Sequence, residues 1–292
     1  MKKTVLEFTV IEPCGLQDFL LRYVPNKSRN NIKSLLSFKE VFVDGVMTTK
    51  FDYPLQQGQK VSIHSAKNRA SQPNELLEII FEDENIIVIN KPCGLLSIAT
   101  ENEKQQTAYH MLTDYVKGAN QKNRVFAVHR LDRDTSGVLM VAKNEKMKLA
   151  LQDNWADLVK ERAYVAVVEG IVEKKSGTIK SWLKETKTML MYSAPKSSGG
   201  LEAITNYKVI KENKNYSLLD ITLKTGRKNQ IRIHMKDIGH SVVGDKKYDS
   251  SSNPLKRLGL HANRLVVVHP FSKEEMSFEA SLPKSFMGLL SK

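Results

Sequence analysis

Two short apolar runs, RVFAV at 124–128 and VLMVAK at 138–143, enclose the segment VHRLDRDTSG at 128–137, which carries two carboxylates, two arginines and a histidine. Runs of this length and composition read as strands. A charged segment bounded by two strands is fixed by the sheet, which is how a loop holds side chains in place for chemistry. The same pattern recurs along the chain. LEIIFEDENIIVINKP gives two strands joined at Glu82–Asn85, and AYVAVVEGIV and YSLLDITL give two more. Helical spacing is confined to a few places. One helix is expected from Asn144, with Met147, Leu151, Trp155, Leu158 and Val159 on one face, and a short one over QIRIHMKDIG that stops at Gly239. Helices scattered among a majority of strands predict a mixed α+β fold on a largely antiparallel sheet.

The polar segment 65–75, SAKNRASQPNE, has no apolar periodicity and reads as a linker. It separates an expected small N-terminal domain at 13–64 from a large one at 76–292. In the small domain, Leu16, Phe19, Leu20 and Tyr23 follow helical spacing up to Pro25. Ser28 is placed to cap a second helix carrying Ile32, Leu35 and Leu36, and VFVDGVMT reads as a hairpin turning at Asp44-Gly45. This is a helix-helix-hairpin module. Between Asp18 and Glu40 stand Arg22, Lys27, Arg29, Lys33 and Lys39 with no acidic residue, which points to phosphate contact over a solvated mixed-sign face.

The whole chain carries 45 Lys+Arg against 32 Asp+Glu, a net charge of +13, which suits a polyanionic partner. Cys14 and Cys93 have no metal or disulfide spacing, so a reducing, cytoplasmic setting is expected. Glu7 and Glu12 interrupt any apolar leader, and no run approaches the roughly 18 apolar residues of a membrane span. Neither a metal nor a cofactor is expected, and a monomer is.

A second basic cluster, KTGRKNQIRIHMK, holds Lys224, Arg227, Lys228, Arg232 and Lys236 between Asp220 and Asp237. Gly226 permits a turn, so the start of the following helix lies among cations and offers a phosphate site. Arg232 is free to pair with a carboxylate instead. In the charged loop, Ser136 is not on a G-x-S-x-G turn and His129 has no second histidine at ligand spacing, against a serine hydrolase or a metal centre. Asp132 and Asp134 could divide acid and nucleophile roles at an anomeric carbon, or one of them could be a turn or salt-bridge residue.

HRLDRDTSG at 129–137, GRKNQIRIHM at 226–235, GHSVVGDKKY at 239–248 and LHA at 260–262 resemble the signature segments of the RluA/RluD-type RNA pseudouridine synthases. NKPCGLL at 90–96 and AYVAVVEG at 163–170 match further segments in the expected order. The small domain resembles the RNA-binding module shared with ribosomal protein S-four. The resemblance implies that Asp132 is catalytic and Asp134 structural, that Tyr164 contacts the target base, and that Arg232 pairs with the catalytic carboxylate. Asn229 stands where the family usually has His.

The chemistry so implied moves the ribose link of a uridine from ring nitrogen to ring carbon 5, without redox change. A carboxylate attacks the anomeric carbon or removes the 2′ proton, and the residues leave both open. Tyr164 would stack on the uracil, and Arg130 would enter the space the flipped base leaves. Arg130, Arg133, Arg227, Lys228, Asn229 and Gln230, with Lys27, Arg29 and Lys33 of the small domain, are the expected RNA contacts. Large-subunit ribosomal RNA is the favoured substrate and transfer RNA the second. The competing functions are a catalytically silent RNA-binding or ribosome-assembly factor, and a nucleoside or glycoside hydrolase using Asp132 and Asp134.

Overall fold

The computed structural model describes residues 4–24, 32, 35, 36, 41–65, 77–101 and 103–291. They divide into two compact units, Met1–Ala70 and Ser71–Lys292. Lys27, Arg29, Lys33, Lys39, the Ser28 cap and residues 66–75 of the linker lie outside the described residues. Among the described residues no helix is long and apolar enough to cross a membrane.

In the small unit, β1 (Thr4–Thr9), β3 (Val41–Val43), β4 (Val46–Met47) and β6 (Lys60–Ser65) form a sheet in the order β1-β6-β3-β4. β2 (Cys14–Gly15) pairs with β5 (Pro54–Leu55). The helix Leu16–Tyr23 lays Leu16, Phe19 and Leu20 onto Val41, Val43, Val61 and Ile63, and Ile32 and Leu36 complete this core. The hairpin turns at Asp44 and Gly45, both at positive φ as its two-residue turn requires, and Asp44 Oδ1 accepts from Lys60 N at 2.8 Å. The sheet is wider than the sequence suggested, because β1 lies ahead of residue 13 and pairs with β6 along its whole length.

The large unit is built on an eleven-stranded sheet. Its strands are β7 (Glu78–Glu82), β8 (Ile86–Lys91), β9 (Phe126–Ala127), β10 (Ser136–Ala142), β11 (Val159–Glu169), β12 (Ser176–Glu185), β13 (Met191–Ala194), β14 (Leu201–Glu212), β15 (Tyr216–Leu223), β16 (Leu260–Val268) and β17 (Glu275–Glu279). The order is β13-β12-β14-β15-β11-β16-β10-β8-β7, with β17 on β16 and β9 on β10. Among the described residues, β10 with β16 is the one parallel pairing of strands in this sheet, so it is mixed and largely antiparallel, as expected.

Every residue of β10 is buried, because both faces are covered. Leu139 and Val141 pack toward the helix Ala108–Ala119, while Val138 and Met140 pack toward the helix Glu145–Asp153. A strand buried on two sides reads as a continuous apolar run. Asn144 caps the second of these helices, its side chain accepting from Met147 N at 2.8 Å. The helix is shorter than its apolar spacing implies. Asn154 interrupts it, Trp155–Leu158 forms a separate turn, and Val159 begins β11. Trp155, Leu158 and Val159 still reach the same core, which is why the spacing looked continuous. The helix Gln230–Asp237 covers the other half of the sheet beside Ala166, Leu219 and Ile221.

Gly137 sits at φ +115 where β10 meets β16, and an added Cβ would collide with the backbone of Ala262. Gly137→Ala should therefore cost well over the roughly 1–3 kcal/mol of the backbone conformation alone. Gly239→Ala, at φ +84 with open space around it, should cost about 1 kcal/mol. Denaturant midpoints of the two variants check this, and equal losses would show that the close approach at Ala262 is not needed.

Candidate active site

A cleft of about 930 Å³ opens where the segment before β10, the start of β11, the end of β15 and the helix Gln230–Asp237 meet. His129, Arg130, Leu131, Asp132 and Thr135 form one wall, Arg162 and Tyr164 the floor, and Gly226, Arg227 and Arg232 the far side. The charged loop is fixed from behind. His129 Nε2 accepts from Met140 N at 2.9 Å, and the Ser97 hydroxyl both donates to Leu131 O and accepts from Leu131 N. Lys91, with no exposed surface, donates to Pro92 O, Leu95 O and Arg133 O at 3.0, 2.7 and 3.0 Å. Burial lowers its pKa to about 8, which leaves it an ammonium at neutral pH. Cys93 Sγ donates to Asp134 O, and Arg257 donates to Ser136 Oγ. The backbone is held, and Arg130 and Asp132 are left to the cleft.

Asp132 has a quarter of its side chain exposed and lies 3.7 Å from Arg232 Nη1. The guanidinium is held more tightly by Asp245, which accepts from Nε at 2.6 Å and from Nη2 at 2.7 Å and is itself almost wholly buried. Burial opposes the Arg232 charge, but the hydrogen bonds and charge of Asp245, then the charge of Asp132, outweigh it and raise its pKa. Asn229 Oδ1 accepts from Nη1 and the Tyr248 ring lies 4.9 Å below the guanidinium. The expected pairing of Arg232 with Asp132 is thus present as the weaker half of a shared contact. Tyr164 is half-buried, and desolvation pushes its hydroxyl up to about 12, with Arg162 pulling the other way. Its phenol is neutral and a proton donor at neutral pH.

The expected RNA contacts divide. Arg130 and Arg227 line the cleft. Arg133 is exposed but pairs with Asp134 at 3.1 Å, away from the lining residues. Lys228 turns to Glu185. Gln230 also lines the cleft, with its amide engaged within the fold: it accepts from Thr225 Oγ1 and Arg227 N and donates to Ile204 O and Thr205 Oγ1. Asn229, also in the lining and almost wholly buried, bridges Tyr248 OH and Arg232. The sequence reading missed Asp245, Tyr248 and Lys91. A signal existed for Asp245, a lone acid after Gly244 in the basic stretch GHSVVGDKKY.

Three histidines stand in or next to these walls, His234 and His261 buried and His129 partly exposed on the cleft. His129, His234 and His261 all have pKa values lowered from 6.5 to about 4, in each case first by desolvation. The folded chain holds them neutral while the unfolded chain protonates them from about pH 6.5 downward. Their contribution to stability is therefore full above about pH 6.5 and is lost progressively as pH falls toward 4. Melting temperature should drop between pH 7 and pH 5, with proton uptake on unfolding. A flat profile across that range would show that the rings are not held neutral.

Comparison with known proteins bears on what this cleft does. Residues 85–237, just over half of the chain, match the family model described as RNA pseudouridylate synthase. An uncharacterized RNA pseudouridine synthase of Mycoplasma genitalium is 35% identical over 92% of this chain and 89% of its own length. The ribosomal large subunit pseudouridine synthase D of Buchnera aphidicola is 32% identical with both chains covered in full. Among solved structures, human RNA pseudouridylate synthase domain containing 4 shares the fold, with a TM-score of 0.60 and 23% identity over 73% of this chain and 92% of that one. The chain belongs to the RNA pseudouridylate synthase family and is an enzyme that isomerises uridine to pseudouridine in RNA.

Proposed function

We propose that Asp132 is the carboxylate that acts at the ribose of a uridine flipped into this cleft, and that the RNA is large-subunit ribosomal RNA. The observation that carries the first part is the geometry around Asp132. It stands in the cleft, partly open to solvent, 3.7 Å from a guanidinium whose better hydrogen-bonding edge is already taken by Asp245. Arg232 can balance the carboxylate charge without occupying both of its oxygens. Tyr164 lies on the cleft floor where an aromatic ring can stack on a uracil. Arg130, exposed at the cleft wall, is placed to fill the gap that the base leaves in its stack. Asp134 carries no such role, since its side chain pairs with Arg133 at the surface.

The choice of ribosomal RNA is supported by similarity to proteins named for the large ribosomal subunit, one of them over its full length, and by the basic small domain, which we read as an RNA grip of the ribosomal protein S-four kind. A folded ribosomal substrate presents many phosphates beyond the target nucleotide. A separate basic module adds phosphate contacts of its own.

Asp132→Asn should abolish turnover on ribosomal RNA, read by mapping pseudouridine, while leaving RNA affinity within a few fold, because charge is removed and volume kept. Turnover near wild type would remove Asp132 from the chemistry. Asp134→Asn should lower stability more than activity. A second outcome concerns the small domain. Changing Lys27, Arg29 and Lys33 together to Gln should flatten the log–log salt dependence of RNA binding by about 2–3, at about 0.7–0.9 for each phosphate contact. An unchanged slope would mean that these cations do not touch RNA.

A further inference from the structure

On the sheet near the cleft lies a group of residues that the site above does not use. On β12, Lys180, Trp182 and Lys184 project from one face at alternate positions. Lys180 Nζ lies 5.6 Å and Lys196 Nζ 6.0 Å from the Trp182 ring centroid. Tyr192 of β13 stands opposite Lys184 with 40% of its surface exposed. Glu202 of β14 stands opposite Trp182 and pairs with Lys180 at 2.8 Å. Its carboxyl is held below its usual range by that hydrogen bond first, with Lys196 and Arg227 adding to it. Lys180, Lys184, Lys196 and Arg227 therefore outnumber the one carboxylate among them.

Arg227 connects this group to the cleft. Its side chain lines the cleft and its Nε donates to Glu202 O at 3.0 Å. A strand of RNA leaving the cleft past Arg227 meets Lys180, Lys196 and the indole in turn. We propose that this face is a second RNA subsite, which takes an unpaired nucleotide flanking the target uridine, its base against the Trp182 indole and its phosphate between Lys180 and Lys196. Every base has a π-face, so an indole accepts any of them, and the two ammonium groups supply the phosphate charge. The subsite adds affinity and does not choose the base. It rests on RNA being the substrate and not on the role assigned to Asp132.

The chain has two tryptophans, Trp155 and Trp182, so Trp155→Phe leaves Trp182 as the one indole reporter. In that background, titration of the full chain with a fluorescein-free dodecauridylate should quench the indole emission in a saturable way. In the wild-type background, Lys180→Ala with Lys196→Ala should weaken binding of a fluorescein-labelled dodecauridylate about ten-fold and reduce its salt slope by about 1.4, at about 0.7 per cation on a single strand. Both lysines are exposed, so the fold should survive their loss. Unchanged Trp182 emission at saturating oligonucleotide, or an unchanged salt slope in the lysine variant, overturns the proposal. Wild-type turnover on ribosomal RNA, measured alongside, separates that failure from failure of the ribosomal reading.

Discussion

A buried ammonium fixes the geometry on which the cleft depends. Lys91 ends β8 with no surface exposed to water, a place where an unpartnered charge is costly by several kcal/mol. Its three hydrogen bonds run to three carbonyls, one of which belongs to Arg133 in the charged loop. The same Arg133 carbonyl accepts from Gly94 N, so one peptide group of the loop is held from two directions. A side chain in an active site must be placed within about half an ångström. The loop meets that demand through its backbone, and Asp132 spends none of its own oxygens on staying in place.

The same division of labour appears across the cleft. Arg232 faces two carboxylates, and the structure ranks them. Asp245, nearly inaccessible, takes the paired Nε and Nη2 edge and also caps the short turn that follows it by accepting from Lys247 N and Tyr248 N. Asp132 is left with the longer contact at 3.7 Å. A two-oxygen fork on Asp132 would stabilise the ion pair and oppose any reaction at the carboxylate. The strong pair thus forms with the carboxylate that is almost wholly buried, and Asp132 keeps its partial exposure to the cleft.

Much of the fold was legible because buried strands advertise themselves. VLMVA and AYVAVV are apolar on both faces since helices cover both faces of the sheet, and the charged loop between strands was legible for the same reason. β12 and β14 were not read as strands. Their exposed faces carry Lys, Glu, Ser and Thr, and the opposite faces mix apolar residues with Gly, Ser and Thr, so no apolar run marks them. The helix from Asn144 was overextended because Trp155 and Val159 reach the core from a turn and a strand, and apolar spacing does not distinguish the routes. Among site residues, Asp132, Tyr164, Asn229, Gln230 and Arg232 all line one cleft, and the amides of Asn229 and Gln230 are engaged in hydrogen bonds within the fold. An amide gives no sign in sequence of whether its hydrogen bonds are spent internally, and Lys91 gives none that its charge is buried.

The protonation states around the cleft narrow what its groups can do. His129 is neutral at physiological pH, with Nε2 committed to Met140 N, so it neither shuttles protons nor adds charge. Tyr164, raised to about 12, offers a hydrogen rather than a phenolate. The positive charge lining the cleft then comes from arginines and lysines, Arg130, Arg162, Arg227 and Lys224 among them, and guanidinium groups do not titrate near neutrality. These cations keep their charge while the pH is varied through the range in which a carboxylate gains its proton. On the chemistry proposed for Asp132, a change in turnover across that range, in protein that stays folded, would report a carboxylate and not a loss of these cations' charge.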